Sequence, residues 1–157
     1  MALSSPFNGA TATGYLTSPT YTVTADLAPS ANGKQYAVTA LGGTQTDVEV
    51  SSVAQPFTLT VFKPTVIRQL PLVNPSTGAF TAPVGRNTFR FIVRKGVVPK
   101  AGQSPVVATV DTSISIPAGA SDEDPNSVAA LLSAAIGALS NQSTDLINMC
   151  RTGVVTF

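Results

Sequence analysis

Ser121-Asp-Glu-Asp-Pro-Asn-Ser-Val-Ala-Ala-Leu-Leu-Ser-Ala-Ala-Ile-Gly-Ala-Leu-Ser140 is the one stretch of this chain with a sustained helical period. Val128, Leu131, Leu132, Ala135, Ile136 and Leu139 recur at the i, i+3, i+4, i+7 spacing and fall on one stripe. Asp124 is placed to cap the free N–H groups, and Pro125 fits the first helical turn. Asp122 and Glu123 add negative charge at the positive end of the helix dipole. The other face carries only Ala, Ser and Gly. A helix this apolar needs a cover on its stripe and close neighbours on its small-residue side.

Working outward, almost everything before the helix reads as β-strand. Thr20 to Asp26 alternates, with Tyr21, Val23 and Ala25 on one face. Lys34 to Leu41 and Thr44 to Ser52 follow on either side of Gly42-Gly43. A three-residue loop there pairs Val38 with Val48 and Tyr36 with Val50, so a hairpin of that register is expected. Pro56 to Lys63 puts Phe57, Leu59 and Val61 on one face, with Thr58, Thr60 and Phe62 on the other. Four prolines and two glycines between 64 and 85 deny a central strand and mark an excursion, with a short edge strand expected at Val66 to Leu70. Arg86 to Val98 sets Phe89, Phe91 and Val93 against Thr88, Arg90, Ile92 and Arg94. Ser104 to Ile116 sets Val106, Ala108, Val110, Ile114 and Ile116 against Thr109, Asp111, Ser113 and Ser115. A second short helix is expected at Asp145 to Met149, with Leu146, Ile147 and Cys150 inward.

The expected fold class is therefore α+β, an antiparallel meander followed by two C-terminal helices. The 157 residues make one domain. Residues 1–19 form an extended arm, 20–116 the sheet with its 64–85 excursion, 121–150 the helices, and 151–157 a tail. A helical hairpin is too narrow to cover such a sheet, which points to a dimer whose helices lie over each other's sheets. The composition agrees. Only 11% of residues are charged and 43% are hydrophobic, so surface covered by other copies is expected.

The sequence excludes much chemistry. There is no histidine, so the usual general base and the commonest metal ligand are missing. Cys150 is the only cysteine, so no internal disulfide and no thiolate zinc site can form; a buried free thiol is expected. No phosphate-binding glycine loop is present. Helix-start stabilisation accounts for Asp122, Glu123 and Asp124 without a metal. Asn141-Gln-Ser143 matches a glycosylation acceptor, a common chance match, and the first residues lack the basic and apolar regions of a signal peptide. No run is long enough to span a membrane. The chain is expected to be non-enzymatic, with no cofactor and no metal.

What remains is Arg86, Arg90 and Arg94, four apart along one strand and therefore on one face. Neighbours in this row stand about 13 Å apart. That is too far to hold one small anion together, but suited to successive phosphates of a polynucleotide. The alternative is that these are solvated arginines or partners of Asp111. A net charge of +1 gives no global nucleic-acid footprint.

The order of parts resembles the coat proteins of single-stranded RNA bacteriophages, the leviviruses and their relatives. The resemblance lies in the N-terminal hairpin, the meander, the strand ending Ser-Ile-Pro117, the acidic Ser-Asp-Glu-Asp124 turn, Ala-Ala-Leu-Leu-Ser-Ala-Ala-Ile-Gly-Ala-Leu-Ser140 and the short second helix. It is most specific over 104–150, and the 64–85 excursion departs from more compact members. The resemblance implies a homodimer on one continuous sheet with interlocked helices, held by the stripe Val128, Leu131, Leu132, Ala135, Ile136 and Leu139. It implies an icosahedral shell assembled in the bacterial cytoplasm, packaging single-stranded RNA and binding an RNA hairpin as a translational repressor. It places Thr109, Asp111 and Ser113 on the inner face of the last strand. Arg90 and Arg94 join them there, with Thr58 and Thr60 beside them. A tail-tube or decoration protein, and a fimbrial or adhesin subunit, are the competing readings.

Overall fold

A computed structural model describes residues 3–155; the first two residues of the arm and the last two of the tail lie outside it. Six strands form one antiparallel meander in chain order. They are β1 (Phe7–Asn8), β2 (Thr17–Asp26), β3 (Gly33–Thr44), β4 (Phe57–Phe62), β5 (Arg86–Val97) and β6 (Val106–Pro117). Three helices follow: α1 (Ala120–Glu123), α2 (Pro125–Asn141) and α3 (Ser143–Thr152). The architecture is the expected α+β.

Strand pairing sorts the side chains onto two faces. Val23 stands opposite Val38, Tyr36 opposite Leu59, and Leu59 opposite Val93. These make the apolar face, where Val23, Val38 and Leu59 are buried among Phe7, Tyr21, Tyr36, Phe57 and Phe91. The Tyr21 ring bridges Phe7 and Phe57, with centroids 5.5 and 5.7 Å away. Lys95 also points to this face. Its ammonium lies 5.0 Å from the Phe57 ring centroid and donates to the Glu49 carbonyl. Burial pulls its pKa below the ordinary lysine value, against the pull of the Glu49 charge.

The hairpin expected at Gly42-Gly43 does not form. β3 runs straight through both glycines, and residues 45–56 form a loop rather than a strand. Val38 therefore pairs with Val23, not Val48. The glycines serve close approach instead. A Cβ on Gly42 would lie 2.2 Å from Thr20 Oγ1, and one on Gly43 would lie 2.1 Å from the Ser18 carbonyl oxygen. Gly43 also has φ +73, which disfavours other residues. The early end of β2 fits there only because β3 has no side chains at that point.

Two other expectations need correction. No strand forms at Val66 to Leu70. Instead the Asn87 side chain accepts from the Arg68 N–H at 2.8 Å and donates to the Arg68 carbonyl at 3.1 Å, pinning that segment without a ladder. The arm is also less free than expected. Phe7 pairs with Tyr21 and Asn8 with Thr20, so part of it is the outermost strand.

The helix start is as expected. The Asp124 carboxylate accepts from the Ser127 N–H at 3.2 Å, with Pro125 next to it. α3 is tied to the β1–β2 connection. Thr13 N–H donates to Thr144 Oγ1 at 3.0 Å, and Ser143 donates to the Thr11 carbonyl. Cys150 is free and exposed, not buried, although residues 143–149 of α3, Leu146 and Ile147 among them, are half-buried.

Candidate nucleic-acid interface

The opposite face of the sheet is polar because of the same alternation. The register aligns its residues in cross-strand rows. Thr58, Arg94 and Thr109 form one row, and Phe62, Arg90 and Ser113 another. Between them runs a longer row of Asp26, Gln35, Thr60, Ile92 and Asp111. Arg86 lies opposite Pro117 at the strand end. All eight residues expected on one face are thus brought onto it.

Their availability differs. Thr60 is fully buried, and its hydroxyl donates to Gln35 Oε1 at 3.0 Å. Thr58 is also buried. Neither offers a free surface in this arrangement: Thr60 lies beside Ile92 and is bound to Gln35, and Thr58 lies beside Arg94. Thr109, Asp111 and Ser113 are exposed, since no described strand pairs with the outer side of β6.

The three arginines are in three states. Arg86 donates from Nε to Ser115 Oγ at 2.9 Å and from its terminal nitrogen to the Ser115 carbonyl at 2.7 Å, and no carboxylate among the described residues pairs with it. Arg90 grips Asp111 through two nitrogens, with Nε 2.8 and 2.9 Å from the two carboxylate oxygens. This pair holds the Asp111 carboxyl below its ordinary pKa, chiefly through the hydrogen bond from Arg90, and raises Arg90. Arg94 is half-buried and has no ion pair among the described residues.

The helix stripe is equally informative. No residue of α2 is buried in the chain. Leu131 is 59% exposed, Ile136 68% and Leu139 50%, while Val128 and Leu132 are half-buried and Ala135 is exposed. A helix with this composition has no cover from its own sheet. The apolar face is open too, with a groove of about 470 Å³ between Leu3, Tyr36, Leu59, Val61, Lys63 and Phe91.

Neither a protein-family model nor a curated protein sequence matches the chain. Among solved structures, the virus-like particle of bacteriophage ESE020 is 49% identical over 98% of this chain and 99% of that one, with a TM-score of 0.89. This chain belongs to the levivirus-like coat proteins of single-stranded RNA bacteriophages. The virus-like particle of Beihai levi-like virus 32 shares the fold at 18% identity and a TM-score of 0.55, over 87% of this chain and 88% of that one. The coat protein is a structural component of a phage capsid, and its place is the virion. No described helix is long and apolar enough to cross a membrane.

In this coat protein, sequence reasoning placed the arginine row but missed what surrounds it. Gln35 links the row from the far side, donating to Asp26 Oδ2 at 2.8 Å while accepting from Thr60. Residues on three strands meet there. Only the register between the strands could have found them, and no local pattern reports that register.

Proposed function

We propose that this coat protein forms a homodimer through the open edge of β6, with α2 and α3 of each copy laid over the apolar face of the other. Dimers close into an icosahedral shell in the bacterial cytoplasm, and the polar face holds packaged single-stranded RNA. Capture of an RNA hairpin on that face, repressing translation, is part of the same reading.

One observation carries it. The sheet has one blunt edge and one open edge. β1 is two residues long, whereas β6 presents 12 residues, about 40 Å of backbone, with no strand on its outer side among the described residues. A long exposed edge is a template for another strand. The apolar face and the apolar helix stripe, each uncovered alone, are complementary in kind. Obligate interfaces of this sort bury about 2,000 Å² or more. A dimer would make the polar face continuous across two β6 strands. On β5 and β6 of each copy three arginines there face one carboxylate, and an excess of positive charge favours phosphate.

The test is expression of the full chain followed by sedimentation, ribonuclease treatment and microscopy. Closed particles that shield RNA are expected. A monodisperse monomer without RNA overturns the reading.

A further inference from the structure

We infer that Asp111 is an electrostatic gate on Arg90, which keeps that arginine off the phosphates of arbitrary RNA. The inference rests on the RNA-binding reading of the polar face and adds a residue that limits binding there.

The geometry differs from an incidental surface pair. Arg90 offers Nε and a terminal nitrogen, and the carboxylate of Asp111 takes both. This two-point grip uses the same donor edge that a phosphate would use. A phosphate reaching Arg90 must displace Asp111 and then sit beside the released carboxylate. Both side chains stay accessible, at 54% and 37% exposure, so RNA can compete for the arginine. An exposed pair is weak, and the gate is accordingly a bias rather than a lock. Arg94, four residues along β5 and without an ion pair among the described residues, bears no such restraint.

The same face supplies its own control. Asp26 and Asp111 terminate one cross-strand row, with Gln35, Thr60 and Ile92 between them. Asp26 is held by the Gln35 amide and by the Leu27 N–H, not by an arginine. Asp26→Asn removes the same charge from the same face and frees no cation. Asp111→Asn removes that charge and also releases Arg90. Screened electrostatics already makes Asp26, four strands and about 19 Å from Asp111, the weaker of the two; the gate predicts in addition that the gain at Asp111 disappears when Arg90 is absent.

The experiment measures binding of a 20-nucleotide oligouridylate and an arbitrary RNA stem-loop across a salt series. It uses the full chain, dissociated from particles, as wild type, Asp111→Asn, Asp26→Asn, Arg94→Ala and Arg90→Ala/Asp111→Asn. Asp111→Asn is expected to tighten both RNAs about two- to fivefold per chain, matching the strength of an exposed pair. Its log-affinity against log-salt slope should steepen by about 0.7 to 0.9 per chain, one added phosphate contact. Asp26→Asn should leave the slope unchanged, and removing Arg90 as well should abolish the gain. If Arg94→Ala weakens binding while Asp111→Asn matches Asp26→Asn, the gate is overturned and the RNA face stands. If Arg94→Ala changes nothing either, the face does not bind RNA and both readings fall.

Discussion

The two faces of this sheet are built from the same six strands, yet they are incomplete in different ways. The apolar face has a core of only three buried residues, Val23, Val38 and Leu59, with half-buried aromatics around it. It lacks a cover. The polar face lacks nothing in packing terms, since Thr60 and Ile92 are buried and the Gln35 amide joins Thr60 to Asp26. What it lacks is charge balance around Arg86 and Arg94. An uncovered apolar surface calls for a protein partner, because burial of apolar area is the main favourable term in association. An uncompensated cationic surface calls for an anion. On the proposed reading, the two sides of one layer therefore take two classes of partner.

The largest effect should come from breaking the apolar side. Leu132→Asp puts a charge in the stripe of α2, and burying it unpaired would cost several kcal/mol. Dimers and shells should be lost, with the protein insoluble or monomeric by sedimentation. Normal shells would show that Leu132 faces solvent in the assembly. A smaller effect separates the faces by stability. Leu59→Ala removes a buried side chain from the apolar core and should cost about 2 to 4 kcal/mol in denaturant unfolding of the assembled protein. Thr60→Val at the next position keeps the shape and loses one hydrogen bond to Gln35, about 1 kcal/mol. Equal costs at the two positions would mean that the faces do not differ as described.

Much of this division was legible in the sequence. The alternation of Phe89, Phe91 and Val93 with Arg90 and Arg94 fixed the sides of β5, because side chains alternate without exception along a regular strand. The helix start was legible for a similar reason, since Asp124 and Pro125 act through local geometry. The course of β3 was not. Gly42-Gly43 has the composition of a turn, and only the approach of Ser18 and Thr20 explains why it is strand instead. That contact joins residues more than 20 apart, which no local pattern reports. The Arg90–Asp111 pair had a visible candidate partner, but the register alone does not select it: Asp111 stands opposite Ile92, two residue pairs from both Arg90 and Arg94, and the side-chain geometry makes the choice.

On the polar side the effects are on binding rather than folding. Arg94→Ala removes a cation without an ion pair and leaves the apolar core untouched. The salt slope for RNA should flatten by about 0.7 to 0.9 per chain. The loss should be similar for unrelated RNA sequences, since phosphate contacts position without specifying. Arg90→Ala alone should change the slope for arbitrary RNA less, because Asp111 already occupies that guanidinium. Equal flattening by the two substitutions would remove the distinction between a held and a free arginine.

The smallest expected effect is that of pH. A face using histidine would change its charge between pH 5 and 8, but this chain has no histidine. The two shifted groups on the arginine row move away from that window. The Asp111 carboxyl is lowered, first by its hydrogen bond to Arg90, and Arg90 is raised by the same bond and by the Asp111 charge. Lys95, whose pKa is lowered by burial, points to the apolar face and has no part in phosphate contact. The sign of the linkage follows from Asp111. A carboxyl with a depressed folded pKa stabilises above its unfolded value, near 3.9, and loses that contribution as pH falls through the lower folded value. The pair therefore persists throughout the range from pH 5 to 8 and opens only in stronger acid. The salt slope for the oligouridylate should be the same at pH 5.5 and pH 7.5, for wild type and for Arg94→Ala alike. A slope that differs by half a unit or more between the two pH values would require a titrating group on the polar face, and neither the arginine row nor its carboxylate can supply one.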